Sequence, residues 1–156
     1  MSPEDLAQLV VFTLDDRRYA LPVSAVDRIS FSVEVTPLPR APEIVTGVIN
    51  FSGRVIPVVN IRRRFSLPER DAALGDILVI AHTLHRPVAM LVDRVTGVLQ
   101  VAASRVVLQS NIVPGMDYMA GVVKLDDGIV LIHDLDRFLS LEEESQLDPA
   151  MERAQS

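Results

Sequence analysis

The chain has 156 residues, of which 49% are hydrophobic and 23% charged, with a net charge of −6 and no cysteine. This length fits one domain, or two very small ones that share a core. The missing cysteines exclude disulfides, thiolate metal sites and a cysteine nucleophile, and the negative charge argues against a nucleic-acid binder, which needs a basic face.

Strand signals dominate the first half of the chain. Apolar, valine-rich runs lie at 9–14, at 19–23 and, as two strands around a turn, at 47–59. Asp15-Asp16 and Ser52-Gly53 supply the two turns. Pro22 places its strand at an edge or ends it there, because proline has no amide hydrogen to donate. Three prolines between residues 33 and 42 favour an extended connection.

A short helix is predicted after these strands. Asn60 is a good N-cap, and residues 61–65 predict one or two helical turns that stop at Pro68, followed by a charged linker at 69–76. The run Arg62-Arg63-Arg64 fans out around such a helix, so it does not form a stripe for nucleic acid. Two interpretations stay open for it: a solvated face, or a contact with an acidic partner.

The second half repeats this order of elements. Strand candidates lie at 77–81, 88–92, 97–101, 105–108, 121–125 and 129–132. Asp126-Asp127-Gly128 predicts a hairpin turn, because glycine tolerates a positive φ. Residues 110–118 predict a loop, and Asp134 predicts the cap of a last short helix. From residue 142 onward the polar sequence predicts a tail that frays.

The two halves also resemble each other residue by residue. Gly47-Val48-Ile49 recurs as Gly121-Val122-Val123, and at the same spacing Asn60–Leu67 recurs as Asp134–Leu141. About ten short strands with little helix predict two small barrels that pack side by side and share a core. The expected single domain, 1–156, thus consists of two pseudo-duplicated halves and a polar C-terminal tail: about 9–70, 76–141 and 142–156.

No set of residues indicates catalysis or metal binding. His82 and His85 flank a turn and His133 stands alone, so we interpret all three as surface or strand-end histidines and expect no metal. No histidine base accompanies Ser52, and Asp126-Asp127 sit on a hairpin tip where both carboxylates stay solvated. We therefore expect a protein that is not an enzyme and needs no cofactor.

A small-ligand-binding β-barrel regulatory module is the alternative. Barrels of the PilZ type bind a cyclic dinucleotide through Arg-x-x-x-Arg followed by Asp/Asn-x-Ser-x-x-Gly. Asn50-Phe51-Ser52 starts such a pattern, but Val55 occupies the position of the required glycine, and the arginine run follows the segment instead of preceding it. The match is poor.

The expected cellular location rests on two features that the sequence does not show, a membrane helix and a secretory signal. No apolar run approaches the roughly 18 residues that a membrane helix needs. The acidic N-terminus has no secretory signal. We expect a cytoplasmic protein without direct membrane insertion.

The segment from Gly47 to Phe65 resembles the signature of CheW-like coupling proteins of bacterial chemotaxis. Their pattern is roughly Gly-Val-hydrophobic-Asn-hydrophobic-x-Gly-x-hydrophobic-hydrophobic-Pro-Val-hydrophobic-Asp/Asn-hydrophobic. Residues 9–14, 87–99 and 132–139 are similar to the first strand, the central strand and the closing helix of the family. The resemblance covers about residues 9–141.

This resemblance implies a mainly β fold of two intertwined five-stranded SH3-like β-barrels with a shared hydrophobic core and short helices after the Asn60 and Asp134 caps. It implies a non-catalytic adaptor that couples chemoreceptors of the methyl-accepting type to a CheA-like histidine kinase, recruited to receptor arrays at the inner face of the membrane. The first barrel would dock the regulatory domain of the kinase. A groove between the barrels would take the cytoplasmic tip of the receptor hairpin.

The resemblance also implies two sets of contact residues. The kinase-binding set is Val26, Arg28, Gly47, Ser52 and Gly53. The receptor-binding set is Ile29, Val98 and Leu99. Many members carry arginine where this chain has Ser52, and several carry an acid where it has Arg28, so the charge of the partner surface is expected to differ.

Overall fold

The computed structural model describes residues 6–31, 33–71, 73, 75–108 and 119–155. Their strands are β1 Leu6–Leu14, β2 Arg17–Pro22, β3 Val26–Phe31, β4 Val45–Phe51, β5 Arg54–Val59, β6 Ile77–His82, β7 Pro87–Val92, β8 Arg94–Ala102, β9 Val106–Leu108, β10 Met119–Leu125 and β11 Gly128–His133. Their α-helices are α1 Ile61–Arg64 and α2 Leu141–Gln155. Short 3₁₀ turns lie at Val23–Ala25, Ala103–Arg105 and Leu135–Arg137. The loop predicted at 110–118 falls outside the described residues.

The strands form two sheets that exchange hairpins. The six-stranded sheet has the order β8-β1-β2-β11-β10-β9, and the five-stranded sheet has the order β3-β6-β7-β5-β4. The hairpin β1–β2 of the first half therefore lies inside the sheet of the second half, and β6–β7 lies inside that of the first. The predicted mainly β, intertwined fold is confirmed. One sheet has six strands instead of the predicted five. The 3₁₀ turn Ala103–Arg105 interrupts the chain between β8 and β9, so these two segments form separate strands at opposite edges of that sheet.

The strand β9 has a reduced counterpart in the five-stranded sheet. Val107 of β9 pairs with Val122 of β10, whereas in the other sheet a single bridge joins Thr36 to Val48. Pro37 follows Thr36 directly and has no amide hydrogen, so pairing does not continue there. The extended connection predicted for this segment is therefore a one-residue edge contact.

A shared core joins the two sheets. Its largest cluster includes Phe12 and Tyr19 of the β1–β2 hairpin, Met90 of β7 and Leu147 of α2, all at most 2% exposed. Two smaller apolar clusters fill the interior of each sheet separately. Each fully buried aliphatic side chain contributes about 1.5–3 kcal/mol relative to exposure. Neither half could bury these residues without the hairpin of the other.

The two predicted helix caps differ in outcome. The Asn60 side chain accepts a hydrogen bond from the Arg63 amide at 3.1 Å, so this cap is confirmed. The cap predicted at Asp134 is wrong, because its carboxylate accepts no hydrogen bond from the backbone amides of the following 3₁₀ turn and pairs instead with the Arg137 side chain at 3.3 Å.

The predicted frayed tail is also wrong, because residues 141–155 form α2. A capping box starts it: the Glu143 amide donates to Ser140 Oγ at 3.1 Å, and the Ser140 amide donates to Glu143 Oε1 at 2.9 Å. Leu147, Ala150 and Met151 follow at helical spacing and are buried against the shared core. Packing of this apolar stripe outweighs the polar composition of the segment.

Candidate interaction surfaces

The turn between β4 and β5 shapes the first surface. Ser52 and Gly53 form a two-residue hairpin loop between the paired residues Phe51 and Arg54, with φ angles of 52° and 81°. Both angles lie in the left-handed region, which glycine adopts freely and serine adopts at a cost. A Cβ atom at Gly53 would have no atom within 4 Å beyond its chain neighbours, so this tip is open to a partner backbone.

Arg28 lies beside this turn. Its guanidinium carbon is 5.5 Å from the centroid of the Phe51 ring, a cation–π distance. Arg28 belongs to β3 and Phe51 to β4, the two edge strands of the five-stranded sheet, so this contact joins the edges at the open end of the barrel. We call Arg28, Phe51, Ser52, Gly53 and Arg54 the barrel mouth.

The other two predicted kinase contacts lie deeper. Val26 starts β3, is half-buried and packs against the shared core. Gly47 is buried, and a Cβ atom there would lie 2.3 Å from the Thr36 carbonyl oxygen. Only glycine fits at position 47, because the backbone segment around Thr36 crosses it at close distance. Gly47 can support a partner surface by holding Thr36 in place.

A groove between the sheets forms the second surface. It has a volume of about 650 Å³ and is bordered by β3, β6 and the start of β8, through Ile29, Ile77, Arg94 and Val95. Ile29 is 44% exposed there, so this predicted receptor contact lies in the groove. We call this site the intersheet groove.

The remaining predicted receptor contacts lie further along β8. Val98 is 62% exposed, whereas its neighbour Leu99 is half-buried and packs against the apolar cluster of the six-stranded sheet. Successive strand residues point to opposite faces, so one partner cannot lie against both side chains. Phe31, which sequence reasoning missed, is 80% exposed at the end of β3. Its alternation with Ile29 is the signal that could have revealed it.

Arg70, Asp76 and Asp93 line the intersheet groove, and a charged network extends from them to Arg62 and Asp15. Arg62 donates to Asp15 at 2.9 Å and to Asp93 at 2.7 Å. Arg70 donates to Asp93 at 2.5 Å and to Asp76 at 2.7 Å. These five residues join the β1–β2 hairpin, α1, the linker before β6 and the β7–β8 junction.

The network shifts the proton affinities of its members. Burial alone would raise the pKa of the Asp93 carboxyl, but hydrogen bonds from the Asp15 amide, Arg62 and Arg70 outweigh burial and lower this pKa. The pKa of Asp76 is lowered in the same way, against burial, by Arg70 and the Ala73 amide. Hydrogen bonds to Asp76 and Asp93 raise the pKa of the Arg70 guanidinium. Asp76, Asp93 and Arg70 therefore stay charged near neutral pH.

The arginine run forms ion pairs within the chain. Arg62 is buried in the network just described, Arg63 pairs with Glu43 at 2.6 Å, and Arg64 pairs with Glu143 of α2 at 2.5 Å. All three therefore have acidic partners within the chain. The run ties α1 to its surroundings. Arg62 and Arg64 therefore do not form a solvated face, whereas Arg63 is exposed, and a contact with an acidic partner stays a prediction.

The histidines do not converge on a metal site. His82 is exposed and contacts Asp27 at 2.8 Å. His133 ends β11, as the strand-end interpretation expected, but it is buried between Phe65 and Phe138. Desolvation lowers the pKa of His133 to about 3, and neither ring nitrogen has a hydrogen-bond partner among the described residues. Within those ranges, no three His, Asp or Glu side chains are placed to share a metal ion.

In the part of the chain that the structure describes, no helix is both long and apolar enough to cross a bilayer.

Comparison with known proteins identifies the relatives of this chain. The family model described as CheW-like domain matches residues 8–143. A chemotaxis protein CheW of Thermotoga maritima is 30% identical over 132 residues, which are 85% of this chain and 87% of that protein. A chemotaxis protein CheW of Treponema pallidum is 28% identical over 146 residues, 90% of this chain and 86% of that protein.

A solved structure has the same fold. The scaffolding protein TtCheW from Thermoanaerobacter tengcongensis matches with a TM-score of 0.81 over 89% of this chain and 96% of that chain. The two sequences are 24% identical, so this likeness concerns the fold alone.

Proposed function

The chain belongs to the CheW-like domain family, and from this membership we propose that it is a non-catalytic adaptor that holds a chemoreceptor and a CheA-like histidine kinase in one complex. It is a chemotaxis protein of this family. The two partners, their docking sites and a cytoplasmic place beneath receptor arrays are our proposal. So is the extent of the domain, 1–156 with halves at about 9–70 and 76–141.

One observation carries this proposal. The consecutive residues Arg28 and Ile29 of β3 belong to two different surfaces, the first at the barrel mouth and the second in the intersheet groove. Adjacent residues of a strand point to opposite faces of a sheet. An adaptor needs such an arrangement, because two partners can then bind at the same time without sharing contacts.

The kinase regulatory domain docks at the barrel mouth. Arg28, Ser52 and Gly53 supply the exposed contacts, and Val26 and Gly47 support them from beneath. The open tip at Gly53 allows close approach of a backbone. A patch on the order of 800 Å² per partner is enough for a specific contact.

The receptor tip docks in the intersheet groove. Ile29 and Val98 offer exposed apolar side chains to the apolar face of a helical hairpin, and Leu99 supports β8 from the inner side. Phe31 extends this apolar strip along β3. The charged network beneath keeps the two walls of the groove at a fixed separation.

Calorimetric titration tests this proposal. The chain is titrated with the regulatory domain of the CheA-like kinase encoded nearest to it, and a receptor-tip fragment is then added to the complex. We expect both partners to bind together, each in a one-to-one ratio. Ile29→Glu should weaken binding of the receptor fragment by about tenfold or more, because a charge is costly in an apolar contact. The affinity for the kinase domain should not change.

Ile129→Glu is the matched control. Ile129 is 52% exposed on β11, outside both surfaces, and the substitution introduces the same charge. It should leave both affinities unchanged. If neither partner binds the unmodified chain, or if each displaces the other, the adaptor proposal is wrong.

A further inference from the structure

Two arginines share the barrel mouth with one aromatic residue, Phe51. Arg54 is the cross-strand neighbour of Phe51, so their side chains share a face of the hairpin. Arg28 approaches the same ring from β3, with its guanidinium carbon 5.5 Å from the centroid. Both residues are exposed. The mouth thus combines two positive charges with the open turn at Ser52-Gly53.

Neither arginine has an acidic partner among the described residues. The acid next to Arg28 in sequence, Asp27, contacts His82 at 2.8 Å instead. Other arginines of the chain are paired within it: Arg18 with Asp127, Arg62 with Asp15 and Asp93, Arg63 with Glu43, Arg64 with Glu143, Arg70 with Asp76, and Arg86 with Glu144. In a chain with a net charge of −6, the mouth thus carries two positive charges that form no ion pair with the described acids.

The Arg28 charge at the mouth is also held in place. The cation–π contact restricts the long Arg28 side chain, and the hairpin fixes the backbone of Arg54. A guanidinium presents several N–H donors in a rigid plane that matches a carboxylate in a bidentate way. Restricting it before binding reduces the entropy lost on association. The mouth is therefore shaped for carboxylates.

We propose that Arg28 and Arg54 bind an acidic segment of the kinase regulatory domain and so decide which kinase this adaptor accepts. This inference rests on the proposed function, because the kinase domain is the occupant of the mouth. It adds the chemistry of the partner: Asp or Glu side chains that face the two guanidinium groups. A kinase domain with a basic surface at this place is excluded by charge repulsion.

The test is titration of the kinase domain at about 0.05 M and about 0.3 M salt, since the lower concentration screens exposed charges less. The double variant Arg28→Gln/Arg54→Gln should bind about tenfold more weakly at low salt, and its affinity should lose most of its dependence on salt. Arg28→Lys/Arg54→Lys should fall between this variant and the original chain, because lysine keeps the charge but loses the planar fork.

Arg105→Gln is the matched control, because Arg105 is also exposed but lies in the six-stranded sheet, between β8 and β9. It should bind like the original chain, and thermal unfolding of all variants should show an unchanged midpoint. If the double glutamine variant keeps full affinity and full salt dependence, the acidic-partner inference is overturned while the adaptor function stands. If the original chain binds no kinase domain, the proposed function falls and the inference with it.

Discussion

Arg62 donates a hydrogen bond to Asp93 at 2.7 Å where the two sheets meet, and only 9% of the Arg62 side chain is exposed. Arg62 lies in α1, which follows β5 of the five-stranded sheet, whereas Asp93 joins β7 to β8 and so links the two sheets. The same carboxylate accepts the amide hydrogen of Asp15 at 2.9 Å, at the tip of the exchanged β1–β2 hairpin. This ion pair therefore stabilises the arrangement in which the two halves exchange hairpins.

Asp93→Asn should destabilise the protein by about 3 kcal/mol, because it leaves the buried Arg62 charge without its strongest partner. Asp127→Asn is the matched control: Asp127 pairs with Arg18 at 3.1 Å, but its side chain is 76% exposed. The control should lose less than about 1 kcal/mol. Urea unfolding of both variants measures the difference, and equal losses would contradict a structural role for the buried pair.

His133 should make stability depend on pH. Its pKa is about 3 in the folded protein and about 6.5 in an unfolded chain, so the unfolded state binds more protons between these values. Stability should therefore fall as the pH drops below about 6.5, with a slope approaching 1.4 kcal/mol per pH unit, roughly. His133→Leu should remove this slope, measured by urea unfolding at a series of pH values.

His85→Leu is the control for this change, because His85 is exposed and its replacement should leave the slope intact.

A separate loss of stability at acid pH should persist in both variants. The pKa values of Asp76, Asp93 and Glu143 are lowered in the fold against the effect of burial, by hydrogen bonds from arginines and amides. Their contribution is present above the ordinary carboxyl pKa and is lost as the pH falls through the lowered values. An unchanged slope in His133→Leu would show that another group is responsible.

Local signals made most strands and turns predictable from the sequence, although β3 Val26–Phe31 was not among the predicted strands. Valine-rich runs, the Ser52-Gly53 turn and the Asn60 cap each depend on residues within a few positions of one another. The burial of Arg62 and His133 was not predictable in this way. Arg62 depends on Asp15 and Asp93, which lie far away in sequence and meet it only through the exchanged hairpin.

The candidate surfaces were predictable in part, through the family resemblance. Ile29, Val98 and the Ser52-Gly53 tip are exposed, as a contact role requires. The burial of Gly47 depends on the segment around Thr36 crossing it, which no local pattern encodes. Whether these residues bind the proposed partners stays a prediction.

The C-terminal helix should contribute to stability through Leu147, which is fully buried against the shared core. Leu147→Ala should destabilise the protein by about 3 kcal/mol, because it leaves a cavity beneath α2. Leu141→Ala is the matched control, since Leu141 begins the same helix but is 87% exposed. It should change stability by less than about 0.5 kcal/mol. A frayed segment would instead tolerate both substitutions equally in thermal or urea unfolding.

The repeated glycines Gly47 and Gly121 should both resist substitution by alanine. A Cβ at Gly47 would lie 2.3 Å from the Thr36 carbonyl oxygen, and one at Gly121 would lie 2.7 Å from that of Val107. Backbone atoms cannot move aside as a flexible side chain can, so each substitution should cost about 2 kcal/mol or more. The shorter distance predicts the larger loss for Gly47→Ala, and urea unfolding measures both.

Amide hydrogen exchange locates the region that Gly47→Ala destabilises. Thr36 and Val48 exchange two backbone hydrogen bonds of 2.8 Å directly above Gly47, so Gly47→Ala should speed exchange of these two amides specifically. Gly75→Ala is the control, because a Cβ there would have no atom within 4 Å beyond its chain neighbours, and it should unfold like the original chain. If Gly47→Ala is as stable as Gly75→Ala but binds the kinase domain weakly, then Gly47 acts as a direct contact and the close approach of Thr36 is not what requires glycine there.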